Sequence, residues 1–178
     1  MLSVFSKINS ESDMNIPDPV LIPVNINLSH LSWWKQFLYT LKNPPKYALG
    51  EDYIITLDNG VEIVCEKGTV LDLASVPRIF WFIPGFSPVG PLRYGAIPHD
   101  IGYRNHCLFT RNVEGDIVRI YIGYSQDFYD RFLREITIEK TGIKFVANVA
   151  YKALRRFGHI TWNKYRANGT YVFNPASS

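Results

Sequence analysis

Cysteine is scarce in this chain. Cys65 and Cys107 are its two cysteines in 178 residues, far apart and in neither C-x-x-C nor Cys/His finger spacing. That excludes a disulfide framework, argues against a metal-thiolate site, and fits synthesis in a reducing cytosol. Long apolar runs are missing too: none approaches the roughly 18 residues of a membrane span, and no charged-then-apolar leader opens the sequence. The expectation is a protein that is soluble as synthesised, in a cytoplasm. A long basic run is also lacking. The net charge of +3 comes from 19 basic and 16 acidic residues, which is not the footprint of a dedicated duplex-DNA binder, so nucleic acid is disfavoured as a partner. There are no internal repeats, and no G-x-S-x-G elbow surrounds any serine.

What is present is apolar and aromatic substance: 47% hydrophobic and 15% aromatic residues, enough for one substantial core at a length usual for one domain. The expected organisation is an N-terminal arm over residues 1–45 and a single globular domain over 46–178. Residues 8–30 are polar and punctuated by Pro17, Pro19 and Pro23, each of which removes a backbone donor and biases its predecessor toward extended geometry. Within the arm, residues 31–41 form a short helix candidate. Ser32 is placed to cap it, Leu31, Trp34, Leu38 and Leu41 lie along one stripe, and Asn43-Pro44-Pro45 stops it. That helix, carrying Trp33, Trp34 and Phe37, could pack back on the domain, dock on a partner subunit, or lie at a membrane interface, where Trp and Tyr are favoured.

From Tyr53 the period changes to two. Residues 53–57 and 61–65 flank Asp58-Asn59-Gly60, and Asn-Gly between β-rich runs is a strong hairpin signal because both residues tolerate positive φ. A third strand is expected at 69–71, with further candidates at 117–122 and 170–173. Helices are expected at about 126–140 and 143–157, the latter with Val146, Val149, Ala150, Ala153, Leu154 and Phe157 on one face and Gly158 as its end cap. The fold class is α+β: a small antiparallel sheet built on the 53–65 hairpin, packed with three or four helices, plus the extended arm.

Between the sheet and the helices lies the most distinctive stretch. Asp72-Leu-Ala-Ser-Val-Pro-Arg78 is followed by the aromatic run Ile79-Phe-Trp-Phe-Ile83. A Gly/Pro-rich loop then ends in Arg93-Tyr-Gly95 and leads to His99-Asp100-Ile-Gly-Tyr103-Arg104. Ser75, two residues before Pro77, suits a turn or helix start better than a nucleophile, and Asp72 could pin that turn by pairing with Arg78. This order of blocks, continued by Asp130-Arg-Phe-Leu133 and Tyr151-Lys-Ala-Leu-Arg-Arg-Phe-Gly158, resembles the family known as domain of unknown function 1353, over roughly residues 46–165. The resemblance implies a phage context and a single fold unit, but no activity.

In a helix, His99 and Tyr103 share a stripe with Ala96 and Leu92, while Asp100 stands four before Arg104. They can be read as polar-tipped core residues plus an Asp100–Arg104 pair. The H-D-x-x-Y pattern is also similar to that of secretory phospholipases and of the phospholipase domain of parvovirus capsids. That resemblance implies His99 as the water-activating base, Asp100 as a calcium ligand, Asp130 on a later helix as the carboxylate orienting the histidine, and Tyr103 bonding that carboxylate. Carbonyls of the 85–95 loop, with Gly85, Gly90 and Gly95, would complete a Ca2+ site. The loop departs from those enzymes in being interrupted by prolines. Pro98 suggests that the helix begins there, which would put His99 in the first turn, where the dipole disfavours the imidazolium. Asp130 has a plainer reading, since Asp127/Arg131 and Asp130/Arg134 are both acid-before-base pairs four apart, as on a solvated helix face. His159 and Trp162 stand isolated, in surface or packing roles.

Two functional expectations follow. One is a phage-encoded structural or accessory protein, a virion component docked to other phage proteins through its arm, with membrane lipid as an alternative contact of the arm helix. The other is a calcium-dependent, phospholipase-like or other ester hydrolase built on His99, Asp100 and Asp130.

Overall fold

The computed structural model describes residues 14–42, 46–71 and 90–167. The expectations for Ser75, the aromatic run, Gly85 and the 170–173 strand lie outside them. Within them the protein is α+β, with seven short strands and four helices. The strands form three small antiparallel sheets: β1 (Leu21–Pro23), β2 (Tyr47–Leu49) and β5 (Val70–Leu71) in the order β1-β2-β5; β3 (Tyr53–Thr56) with β4 (Glu62–Cys65); and β6 (Leu108–Arg111) with β7 (Ile117–Ile120). The helices are α1 (Trp33–Lys42), α2 (Arg93–Asn105), α3 (Gln126–Thr141) and α4 (Lys144–Ala167).

The hairpin forms at the expected place, in the register Tyr53↔Cys65 to Thr56↔Glu62. Its turn is not a two-residue Asn-Gly turn with both φ positive. Only Gly60 takes the left-handed conformation, at φ 77°; Leu57 N–H bonds the Val61 carbonyl at 2.9 Å, and the Asn59 side chain accepts from Val61 N–H. One left-handed glycine after a turn is the three-residue hairpin solution. The strand at 70–71 joins β2, not the hairpin. Residues counted with the arm share in the domain's packing. β1 pairs with β2, Asn15 bridges Thr56, and Ile16 is 6% exposed in the core.

α2 was expected to begin at Pro98; it begins at Arg93 and carries Pro98 inside. Proline there removes the N–H that would bond the Tyr94 carbonyl. The buried Tyr53 hydroxyl of β3 donates to that carbonyl at 3.3 Å, so the defect is compensated from the neighbouring sheet. α3 ends where its glycine requires: Gly142 has φ 69°, and its N–H bonds the Ile138 carbonyl at 2.7 Å. α4 was expected to stop at Gly158 but runs on to Ala167, with Gly158 buried inside it. A Cβ at Gly158 would press on the Tyr103 hydroxyl and the Gln126 amide, both under 3 Å away. This glycine therefore serves close packing rather than termination.

The core lies where α2, α3 and α4 meet the hairpin and β6. Tyr129, Phe132, Leu133 and Ile136 of α3 are fully buried, with Ile97 of α2 and Ile63 of β4. At about 25 cal/mol per Å2 of apolar surface removed from water, such side chains each contribute on the order of 2 kcal/mol toward holding the helices together. On α2, Gly95, His99 and Gly102 recur at four and three residues, and Tyr103 stands four after His99, so all four lie on the side of the helix turned to α3. The glycines bring the backbones close: a Cβ at Gly95 would overlap the Leu133 carbonyl, and one at Gly102 the Tyr129 ring. The same close approach sets His99 and Tyr103 against α3.

Candidate functional site

The α2 stripe meets a matching stripe on α3, where Gln126, Asp130, Leu133 and Thr137 recur at four and three residues. Asp130 is 0% exposed and His99 is 1% exposed, so their pairing takes place away from water. His99 Nε2 lies 3.1 Å from Asp130 Oδ1, and the Tyr103 hydroxyl donates to the same oxygen at 2.5 Å. The other oxygen, Oδ2, accepts from Arg155 Nη1 at 3.1 Å and from the Gln126 amide at 3.3 Å. Four donors on one buried carboxyl group satisfy it almost completely, which is the condition for tolerating such a group in a core.

The other face of the imidazole looks toward Asp100, whose Oδ1 is 3.5 Å from Nδ1. Asp100 is itself 7% exposed. The four residues singled out in the sequence, His99, Asp100, Tyr103 and Asp130, thus converge within one α2/α3 seam. The Asp130–Arg134 pair expected from spacing does not form. Arg134 turns to Asn148 of α4 and to Glu135, while Asp130 is held by the groups of the seam. Asp127 and Arg131, with the same spacing, do pair. Arg104 reaches the Val70 carbonyl of β5.

Electrostatics follow from burial and these contacts. Burial acts to lower the pKa of His99, but hydrogen bonds and charge attraction from Asp100 and Asp130 outweigh it, so the imidazole is held above its ordinary value. This reverses the expectation of a first-turn histidine kept neutral by the helix dipole, since His99 lies more than one turn inside α2. Burial, reinforced by Asp130, raises the Tyr103 hydroxyl well above the usual phenol range, so it acts as a donor throughout the physiological range.

Three members of the cluster were not foreseen. Arg155 and Trp162 come from α4, and Gln126 opens α3. Gln126 had a local signal, standing four residues before Asp130. Arg155 had none, since 25 residues and a chain reversal separate it from Asp130. Trp162 was expected to stand alone; its ring packs edge-on to Tyr103 at 5.2 Å between centroids and also contacts Tyr129. The His99 and Tyr103 rings stack at 4.1 Å. Arg166 donates to the Tyr103 carbonyl at 2.6 Å, with its guanidinium 3.9 Å from the centre of the Trp162 ring.

Of the loop expected to lend calcium carbonyls, residues 85–89 lie outside the described residues. Among the described residues no three His, Cys, Asp or Glu side chains are grouped to hold a metal ion. Gly95, expected to lend a loop carbonyl, lies within α2, and the Gly90 carbonyl accepts the Arg93 N–H at 3.1 Å in the turn before it. Asp100 is the one carboxylate of that expectation beside the imidazole.

No curated protein and no solved structure matches the chain. Residues 47–154, running from β2 into α4 and containing every element of the seam, match the model of the family described as "Protein of unknown function (DUF1353)", and the chain belongs to that family.

Proposed function

We propose that the α2/α3 seam is a general-base site for hydrolysis of carboxylic esters, with phospholipids as the class to test first. The observation that carries the reading is the pair of contacts on one oxygen: Asp130 Oδ1 takes both His99 Nε2 at 3.1 Å and the Tyr103 hydroxyl at 2.5 Å. An imidazole held at one nitrogen by a fixed carboxylate has its tautomer and orientation set, and the second nitrogen, 3.5 Å from Asp100 Oδ1, is the one that would exchange a proton with a water admitted to the seam. In this mechanism His99 Nδ1 takes a proton from water and the resulting hydroxide oxygen bonds to the ester carbonyl carbon. The carbon–oxygen bond to the alcohol then breaks, and the proton passes to the leaving alkoxide, giving a carboxylic acid and an alcohol. Asp130 stabilises the imidazolium formed on the way. Its influence makes His99 a stronger proton acceptor and lowers the neutral fraction near pH 7. Asp100 would be the carboxylate nearest any cation in the site; no step is routed through one.

The test is turnover of p-nitrophenyl esters and of mixed phospholipid vesicles by the full chain, with calcium and with chelator. His99→Ala and His99→Gln should each lower the rate at least about 100-fold, the size of a general-base contribution, with the far-UV circular dichroism unchanged. Absence of turnover by folded wild-type protein under both conditions, or full activity in either variant, would remove the hydrolase reading.

A second reading, an accessory or virion component that docks to other phage proteins through its arm, is favoured by a separate observation. Trp33 is 80% exposed, Trp34 48% and Leu38 42% on α1. Apolar aromatic residues left in water along one helix are what a docking helix presents. Replacing Trp33 and Trp34 by Ser should abolish association of the full chain in sedimentation while leaving the melting temperature unchanged; a large fall in melting temperature would assign them to the fold.

A further inference from the structure

The charge of this chain is not evenly spread. After Glu139 no acidic residue occurs, and α4 carries Lys144, Lys152, Arg155, Arg156, Lys164 and Arg166 without one Asp or Glu. The net charge of +3 therefore hides a basic C-terminal section set against an acidic remainder. Part of that basic charge is used internally: Arg155 is tied to Asp127 and Asp130, and Arg166 to the Tyr103 carbonyl. Lys152 and Arg156 are exposed, one on each side of the turn that carries the inward-directed Ala153 and Leu154.

Apolar side chains share their face. Phe145 is 70% exposed and Ile160 64%. Phe145, Lys152, Arg156 and Ile160 follow at spacings of seven, four and four, a single stripe along the outside of α4, with the partly buried Val149 at its margin against the core. Its opposite face, with Val146, Ala147, Ala150, Ala153, Leu154 and Gly158, is buried against the domain. A helix with one face in the core and the other both basic and apolar has two different partners to satisfy. Among the described residues none of the helices is long and apolar enough to cross a membrane, so the outer stripe suits contact along a surface rather than insertion across it.

We propose that the outer face of α4, through Phe145, Lys152, Arg156 and Ile160, docks the protein on an anionic phospholipid bilayer. Lys and Arg near such a surface gain from its negative potential, while Phe and Ile partition into the boundary between headgroups and acyl chains. The exposed Phe and Ile favour a lipid surface over nucleic acid, because a phosphate backbone rewards the charges but leaves those two side chains in water. The inference stands apart from the hydrolase reading, because docking is measured without turnover and does not use His99 or Asp130.

The experiment is flotation of the full chain with phosphatidylcholine vesicles containing phosphatidylglycerol, and with pure phosphatidylcholine vesicles. Binding should occur with the first and be much weaker with the second, and it should fall as salt is raised. The double charge reversal Lys152→Glu/Arg156→Glu and the pair Phe145→Ser/Ile160→Ser should each weaken binding at least about tenfold at unchanged melting temperature. Trp33→Ser/Trp34→Ser should retain it. The proposal is overturned by failure to float with anionic vesicles, by undiminished flotation of both α4 variants, or by flotation lost only in the α1 variant. Charge-reversal-sensitive binding to an oligonucleotide without vesicle binding would assign the face to nucleic acid and overturn it equally.

Discussion

Asp127 and Asp130 stand three residues apart on α3, each four before an arginine, and both approach Arg155; yet the two faces of the helix treat them in opposite ways. On the outer face, Asp127 pairs with Arg131, accepts from the Tyr151 hydroxyl at 2.9 Å and lies 3.4 Å from Arg155 Nε, with water at hand. On the inner face, Asp130 is sealed off from water, ignores Arg134, and takes its donors from α2, from α4 and from Gln126. The lesson is that spacing of four tells which residues are neighbours on a helix, not which neighbour a side chain chooses. Where α2 comes close enough to present two polar groups, those win over the local arginine, because a buried carboxylate is costly unless fully bonded.

The strongest way to break this contrast is Asp130→Ala. It would strand His99 without its carboxylate and leave Tyr103 and Arg155 unmatched, and should cost about 3 kcal/mol, the low end for a broken buried pair because the half-exposed Arg155 can turn to water. Urea denaturation checks it; a loss comparable to that of an exposed aspartate would show that the cluster contributes no stability. Next in size, Gly95→Ala forces a methyl against the Leu133 backbone and should destabilise by about 2 kcal/mol by pushing the seam apart. A neutral effect would mean that the helices need no close approach there.

Tyr103→Phe removes one of the two donors on Oδ1 while keeping the ring against Trp162. The expected loss is about 1.5 kcal/mol, the usual worth of a hydrogen bond to a charged group, read from the shift in denaturation midpoint. The smallest effect belongs to the outer face. Asp127→Asn should cost under about 1 kcal/mol, as exposed ion pairs do. Burial acts to raise the pKa of Asp127, but Tyr151, Arg131 and Arg155 outweigh it and hold the carboxyl below its ordinary value. Its contribution is therefore present above the unfolded-state pKa and fades as the pH falls through the lowered folded-state value. Wild type and variant should differ in melting temperature at neutral pH and converge in acid; a difference that persists or grows in acid would contradict the assignment.

Much of the architecture could be read one residue at a time. The alternation at 53–57 and 61–65 marks a hairpin whichever partner it later meets, because only a pleated strand places every second side chain on one face. The periodicity of α3 and the glycine at 142 set that helix and its end for equally local reasons. The stripe that carries His99 and Tyr103, and the presence of Asp130 on a later helix, were legible in the same way. The reading went astray at Pro98 and Gly158. Each has a strong local meaning, helix start and helix end, that was overridden by a partner distant in sequence: the Tyr53 hydroxyl in one case, and the close approach of Tyr103 and Gln126 in the other.

What the sequence alone determined, then, is the hairpin, the helices with their amphipathic faces and the chemistry on them, since these depend on backbone preferences and on spacings of two, three and four residues, whereas the short strands β1, β2 and β6 had no such local signal. Tertiary structure alone decided the company those groups keep. It brought Arg155 and Trp162 to the cluster, turned Asp130 from Arg134 to His99, and placed Phe145, Lys152, Arg156 and Ile160 in water while the other side of α4 closed the core. Pairing across helices depends on the distance and rotation at which whole elements pack, and these are set by the sum of many small contacts and a few glycines. No local pattern encodes that sum.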